Sequence, residues 1–175
     1  RLGILVFFDR GIRVNYTITH LHSDISSAVT NIDSVTKFTD YIEQAKAWGM
    51  TAIAFTEHGS VMSWVKKKET CEKYGLKYIH ATEAYLTESL DNKVSDNYHV
   101  CLYAKNFDGV KELNKMLSIA NNRQDGHYHY VPRITFEELY ATSDNIIIAT
   151  ACTGGVFRSE NKGLKNEYIE FLEKN

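Results

Sequence analysis

Ala45-Lys46-Ala47-Trp48-Gly49-Met50-Thr51-Ala52-Ile53-Ala54-Phe55-Thr56-Glu57-His58-Gly59 decides the fold. The stretch joins the end of a helical pattern to a compact apolar run, and then to an acid and a histidine. Just upstream, Val35, Phe38, Ile42 and Ala45 mark one helical face, with Asp33 or Ser34 placed to cap it. Gly49 suits the left-handed residue that closes a helix. Ala52–Phe55 is short and apolar between turn signals, so it reads as a strand. Glu57 and His58 then fall just past the carboxyl end of that strand.

The same cycle extends in both directions. Upstream, residues 16–21 read as a strand ending in His20-Leu21-His22. The apolar run at 2–8 reads as a further strand, or as part of an N-terminal extension over residues 1–15. Downstream, Ser60 is placed to cap a helix carrying Val61, Trp64 and Val65, and Gly75 closes it. A strand at 78–81 precedes Glu83. After an excursion at 88–97 comes a strand at 100–104. Val110, Leu113, Leu117 and Ala120 then share a helical face. A polar loop over 121–133, a strand at 146–149 and a helix at 164–172 complete the pattern. Strands alternating with helices predict an α/β fold with parallel strands joined by crossover helices. A βα barrel and an open sheet both satisfy that order.

Composition narrows the function. The chain has 175 residues, which suits one domain with a sizeable core. A net charge of −2 argues against gripping nucleic acid by bulk positive charge. Bound metal ions could still supply that charge locally. Cys71, Cys101 and Cys152 are odd in number and widely spaced, and no secretory signal opens the chain. A reducing, cytoplasmic setting is therefore expected. No apolar run approaches the ~20 residues that span a bilayer, so no membrane partner is expected. The chain opens on Arg1 and stops inside a helical pattern, as a fragment of a longer protein would. It carries no glycine-rich phosphate loop, no Gly-x-Ser-x-Gly elbow and no stacked-aromatic RNA motif.

The chemistry lies at the predicted strand ends. In βα proteins the carboxyl ends of parallel strands gather on one face, where sites are built. His20 and His22 have period-two spacing, so both imidazoles point the same way on an extended segment. There they can share a metal, or simply be two partly exposed histidines. His58 could pack at its strand terminus and Glu83 could be a solvated carboxylate. Taken together at equivalent strand ends, the four make a metal site, with Glu83 able to bridge two cations. Glu57 can stand behind them as an outer partner. Spacing alone leaves His99 at either end of its strand. Cys152 can be a buried structural thiol or, as a thiolate, a zinc ligand. His127 and His129 read as surface or pocket-rim residues and His80 as a core histidine. Lys66, Lys67 and Lys68 read as a solvated helix face. Arg133 can neutralise a phosphate as a bidentate donor or form a structural ion pair.

His20-Leu21-His22-Ser23-Asp24, Thr56-Glu57-His58-Gly59, Glu83 and Tyr98-His99-Val100 resemble successive motifs of the PHP (polymerase and histidinol phosphatase) family. Within it, four segments are similar to the alpha subunits of bacterial DNA polymerase III. They are Ala45-Lys46-Ala47-Trp48-Gly49-Met50, Ala104-Lys105-Asn106, Tyr130-Val131-Pro132-Arg133-Ile134 and Ala151-Cys152-Thr153-Gly154-Gly155. The resemblance implies a PHP domain over residues 16–175. Its fold would be a distorted (β/α)7 barrel, cut before the last strand or strands, with a final Asp-x-His motif beyond the chain. It implies His20, His22, His58, Glu83, His99 and Cys152 as ligands of two or three divalent ions, zinc, manganese or iron. The implied activity is phosphoester hydrolysis of the 3′–5′ exonuclease, proofreading type. The implied partners are the 3′ end of single-stranded DNA, the rest of a polymerase chain and replisome subunits. A histidinol-phosphatase-type enzyme and a non-catalytic metal-binding module are the alternatives. The chain departs from the family pattern at Val29, where an aspartate is usual and for which Asp24 or Asp33 could stand in. It departs again at Glu57, where the second motif usually has Asp.

Overall fold

The computed structural model describes residues 16–26, 32–91 and 93–174. The expected strand at 2–8, the extension 1–15 and Val29 lie outside them. In chain order the elements are α1 (Phe38–Ala47), β1 (Ala52–Phe55), α2 (Trp64–Lys73), β2 (Lys77–Thr87), β3 (Tyr98–Ala104) and α3 (Phe107–Ala120). The rest are β4 (Tyr128–His129), β5 (Val131–Thr135), α4 (Phe136–Tyr140), β6 (Ile146–Thr150) and α5 (Lys162–Lys174).

β2 is the spine of the sheet. On one edge it pairs in parallel with β1 from Lys77 to His80, and with β5 from Tyr85 to Thr87. Between them, His58 forms an isolated parallel bridge with Glu83. On the other edge β3 runs antiparallel to β2, and β6 runs antiparallel to β3. The N-terminal segment joins beside β1 through the parallel bridge Ile18 to Ile53. The expectation of parallel strands throughout is therefore corrected: the sheet is mixed. The reason is the 88–97 connection, which is shorter than the roughly dozen residues a parallel crossover needs. Asp96 fastens it back on the end of β2, accepting from Thr87 Oγ1 and the Glu88 N–H, both at 2.8 Å. Asn97 then reverses the chain at φ 41°.

β2 also runs on past the expected 78–81, so Glu83 sits inside the strand rather than after it. The N-terminal segment, by contrast, contributes a single bridge rather than a strand over 16–21. Helix starts shift as well. α1 is capped at Lys37, which leaves Val35 exposed outside it. α2 is capped at Ser63, which takes φ 61°, so Val61 precedes the helix.

Two apolar clusters hold the layers. Ile42, Ala45, Ile53, Phe55, Cys71 and Leu76 fasten α1 and α2 to β1. Leu86, Val100, Leu102, Leu113, Ile134, Leu139 and Tyr168 join β2, β3 and β5 to α3, α4 and α5. Each fully buried side chain of this size contributes roughly 1.5–3 kcal/mol. These clusters therefore fix the strands whose ends carry the polar site.

Four polar residues are placed by this packing. His80 is buried as expected, with Nε2 3.1 Å from Asn114 Oδ1. Lys67 is not on a solvated face: it is buried, and Nζ lies 2.5 Å from Glu57 Oε1. His127 is not at a surface rim either. It is buried between Asp125 Oδ1 at 2.8 Å and Glu138 Oε1 at 3.0 Å. Arg133 is fully buried, and its guanidinium donates to the carbonyls of His127, Val94 and Gly126. Those three acceptors tie the 88–97 and 121–127 segments together. The guanidinium is thus committed to main chain, which corrects its reading as a phosphate ligand.

Candidate metal centre

One carboxylate organises the site. Glu83 sits on the middle of β2 with 1% of its surface exposed. The neighbouring parallel segments bring His20, His22 and His58 to the same level of the sheet. Because β3 is antiparallel, its first residues lie beside the far half of β2, so His99 comes to that level too. Tyr85 pairs with His99 and Glu83 with Cys101.

The donor atoms lie close enough together to share an ion. His22 Nε2 lies 2.9 Å from Glu83 Oε2 and His58 Nδ1 3.2 Å from the same oxygen. His99 Nδ1 lies 3.2 Å from Glu83 Oε1. The rings of His22 and His58 stack at 4.2 Å, and those of His58 and His99 tilt together at 5.3 Å. Donor atoms on a tetrahedral ion with bonds of ~2.0–2.2 Å stand about 3.3–3.6 Å apart. The separations around Glu83, 2.9–3.2 Å, fall just under that edge length.

Outer contacts set which ring atom faces the ion. His22 Nδ1 is 3.0 Å from Ser26 Oγ, which also accepts the His58 N–H at 2.9 Å. Nε2 of His22 is thereby turned to Glu83. His20 Nδ1 is held 3.1 Å from Thr56 Oγ1 and 3.2 Å from Cys101 Sγ, leaving Nε2 as the atom open to an ion. His58 directs Nδ1 to Glu83 while Nε2 lies 3.5 Å from Asp33 Oδ2. A carboxylate behind a ligating imidazole is the usual orienting partner in metal sites.

Among the described residues, three groups have donor atoms that all lie within 4.8 Å of one another: His20, His22 and Glu83; His58, Glu83 and His99; and His22, Asp33 and His58. The first two share only Glu83, whose Oε2 faces His22 and His58 and whose Oε1 faces His99. The third shares its imidazoles with them. Cys152 is exposed, with Sγ 3.4 Å from His99 Nδ1 and within reach of the Gly154 N–H at 3.3 Å. It stands at the edge of the second group, not in a buried core position.

Electrostatics agree with cation binding. Burial alone would push the Glu83 carboxyl up, but the adjacent His22 and His99 imidazoles outweigh it and hold the group well below the usual carboxylate range. Burial pushes His20 and His58 down, which favours the neutral imidazole that ligates metal. At His22 burial is outweighed by Glu83, and the group is raised. Glu83 Oε1 and His58 Nδ1 are both buried and accept or donate no well-aligned hydrogen bond among the described residues. Such orphaned atoms are costly unless an ion or a water takes them. The residues present fit a divalent metal.

Several contributors escaped the sequence reading. Tyr85 stacks on His58 at 5.7 Å and meets His99 edge-on at 5.1 Å. Its period-two spacing from Glu83 on one strand was the available signal. Ser26 carried no such signal. Arg158 Nε donates to the Gly154 carbonyl at 3.1 Å and its guanidinium covers Tyr98, which steadies the Cys152 loop. Glu57, placed as an outer partner, is 1% exposed and engaged with Ser23 and Lys67.

The sequence matches known proteins. Residues 19–174 match the family model described as the PHP domain. The chain is 34% identical over 170 residues to DNA polymerase III subunit alpha of Borreliella burgdorferi, covering 91% of this chain and 14% of that protein. It is 34% identical over 143 residues to the corresponding subunit of Campylobacter jejuni, covering 80% and 11%. The chain thus spans a small part of the relatives it matches. Among solved structures, an amidohydrolase from Chromobacterium violaceum aligns at a TM-score of 0.45 and 19% identity, covering 63% of this chain and 34% of that one. A match over nearly all of the described sequence, together with relatives above 30% identity, settles the family: this chain belongs to the PHP domain family.

Proposed function

We propose that this chain is a metal-dependent phosphoesterase domain of a DNA polymerase III alpha-type protein, acting as a 3′–5′ exonuclease on single-stranded DNA. The observation that carries the reading is Glu83: a buried carboxylate with imidazoles from separate loops around both of its oxygens. The named relatives, both DNA polymerase III alpha subunits, support the polymerase assignment. In this reading the mixed sheet is part of a distorted (β/α)7 barrel within a domain over residues 16–175. The rest of the polymerase chain, replisome subunits and the 3′ end of DNA are the partners, in the cytoplasm. Among the described residues, no helix is long and apolar enough to cross a membrane.

His20, His22 and Glu83 would hold one divalent ion, and His58, His99 and Glu83 a second, with Cys152 beside His99. Asp33 orients His58 and offers a carboxylate to a third position. Zinc, manganese and iron all suit this nitrogen-rich, mixed donor set. Such ions supply positive charge for a phosphate and lower the pKa of a water that attacks it. The protein's part is geometric. Glu83 fixes the spacing of the two groups, Ser26 and Thr56 set the histidine tautomers, and Tyr85 walls the site beside His58 and His99.

The test is hydrolysis of 5′-labelled single-stranded DNA beside hydrolysis of a phosphomonoester, each with and without chelator. Shortening from the 3′ end that chelation abolishes supports the reading. Monoester hydrolysis alone would identify a small-molecule phosphatase. Full metal content with neither activity would identify a structural metal module. Activity indifferent to chelation contradicts the metal assignment.

A further inference from the structure

We propose that the buried Glu57–Lys67 pair is a positioning device that holds the loop carrying His20 and His22 at ligating distance from Glu83. The inference rests on the metal-binding reading above and concerns residues that touch no ion themselves.

Both residues are 1% exposed. Lys67 rises from α2 into the apolar layer, with Nζ 4.9 Å from the ring centre of Phe55. Among the described residues it pairs with Glu57 Oε1, at 2.5 Å. Glu57 accepts the Ser23 N–H through Oε2 at 2.9 Å and the Ser23 hydroxyl through Oε1. Ser23 directly follows His22. The main chain of Glu57 grips the other half of the site. Its carbonyl accepts the Glu83 N–H at 3.0 Å and the Thr82 hydroxyl at 3.1 Å. One residue therefore binds the histidine loop by its side chain and the Glu83 strand by its backbone. Thr56, its neighbour, ties the same loop through the Leu21 N–H at 3.0 Å and His20 Nδ1 at 3.1 Å.

Stability does not explain charges here. An apolar pair of similar volume is often as stabilising as a buried ion pair, or more so. What an apolar pair lacks is two acceptor oxygens matched to the two donors of Ser23, and a cation that balances them. Outer groups that orient ligands typically carry 10–100-fold of metal affinity.

The experiment is cobalt(II) binding, read from visible absorbance and chelator competition, with unfolding followed in parallel. Three variants are compared with the parent chain. Glu57→Leu with Lys67→Met is neutral and lacks the acceptors. Glu57→Gln with Lys67→Met is neutral and keeps one acceptor oxygen. Ser23→Ala leaves the ion pair intact and removes one donor. The proposal expects the Leu/Met variant to fold and to bind cobalt about 10–100-fold more weakly. The Gln/Met variant should recover most of that loss, and Ser23→Ala should bind several-fold more weakly. If the Leu/Met variant does not fold, Ser23→Ala decides, because it keeps the buried charges. Parent-like cobalt affinity in the folded Leu/Met variant, or in Ser23→Ala, would overturn the proposal while leaving the metal site standing. No cobalt binding by the parent chain would overturn the metal reading and this proposal with it.

Discussion

His22 presents Nε2 to Glu83 Oε2 at 2.9 Å while Nδ1 rests 3.0 Å from Ser26 Oγ. One ring is thus held from behind by a hydroxyl and aimed at a buried acid. The same hydroxyl accepts the main-chain N–H of His58. A second imidazole is placed by the contact that orients the first, and a cation would complete both.

Metal should therefore stabilise the fold as well as serve chemistry. An ion binding only the native state adds about 2.7 kcal/mol at one hundred times its Kd. For a chain of this size that is a rise in Tm of roughly 5–10 °C. Calorimetry before and after chelation should show this drop, and divalent metal should restore it. An unchanged Tm would mean that Glu83 and its imidazoles are satisfied without an ion.

His80 should make stability depend on pH outside the metal site. Burial outweighs its hydrogen bond to Asn114 and pushes it down to about 4 from an ordinary 6.5. The unfolded chain takes up the proton near 6.5, and the folded chain only near 4. This contribution is fully present above pH 6.5 and is lost as pH falls from there toward 4. The slope approaches about 1.4 kcal/mol per pH unit in that window. Urea unfolding of His80→Gln between pH 7 and 4.5 should show a flatter profile than the parent. Equal slopes would refute the assignment.

Arg133→Met should destabilise the chain by about 2–4 kcal/mol, because three main-chain carbonyls lose a buried partner. The measurement is the urea midpoint of the variant. A stable variant with weakened phosphate binding would return Arg133 to a substrate role.

The cysteines should label in a set order. Cys152 is exposed, whereas burial, the largest cause for both others, pushes Cys71 up to about 11 and Cys101 up to about 12. At pH 8, iodoacetamide should modify Cys152 first and the other two at least tenfold more slowly, since the thiolate is the reacting form. Protection of Cys152 by added metal would mark it as a ligand. Equal rates with and without metal would leave His99 without a sulfur neighbour on the ion.

Much of the site could be read because its residues sit at local punctuation. His58 follows a four-residue apolar strand, and His20 and His22 alternate on an extended segment, so periodicity alone exposed them. His99 could not be placed that way. Its end of the sheet depends on β3 running antiparallel, which follows from the Asp96 clasp and the short 88–97 connection. Lys67 was misread for a related reason. A run of three lysines looks solvated, but helix rotation turns the middle one inward to Glu57. Arg133 and His127 show that a polar loop can be held by buried charge, which composition alone does not reveal.

The most direct measurement is elemental analysis of the purified chain beside Glu83→Gln. If Glu83 bridges the two imidazole groups, the parent carries at least two divalent ions per chain, and the variant loses at least one while remaining folded. A parent chain that holds no divalent metal after purification and after incubation with zinc, manganese or iron(II) would contradict the assignment.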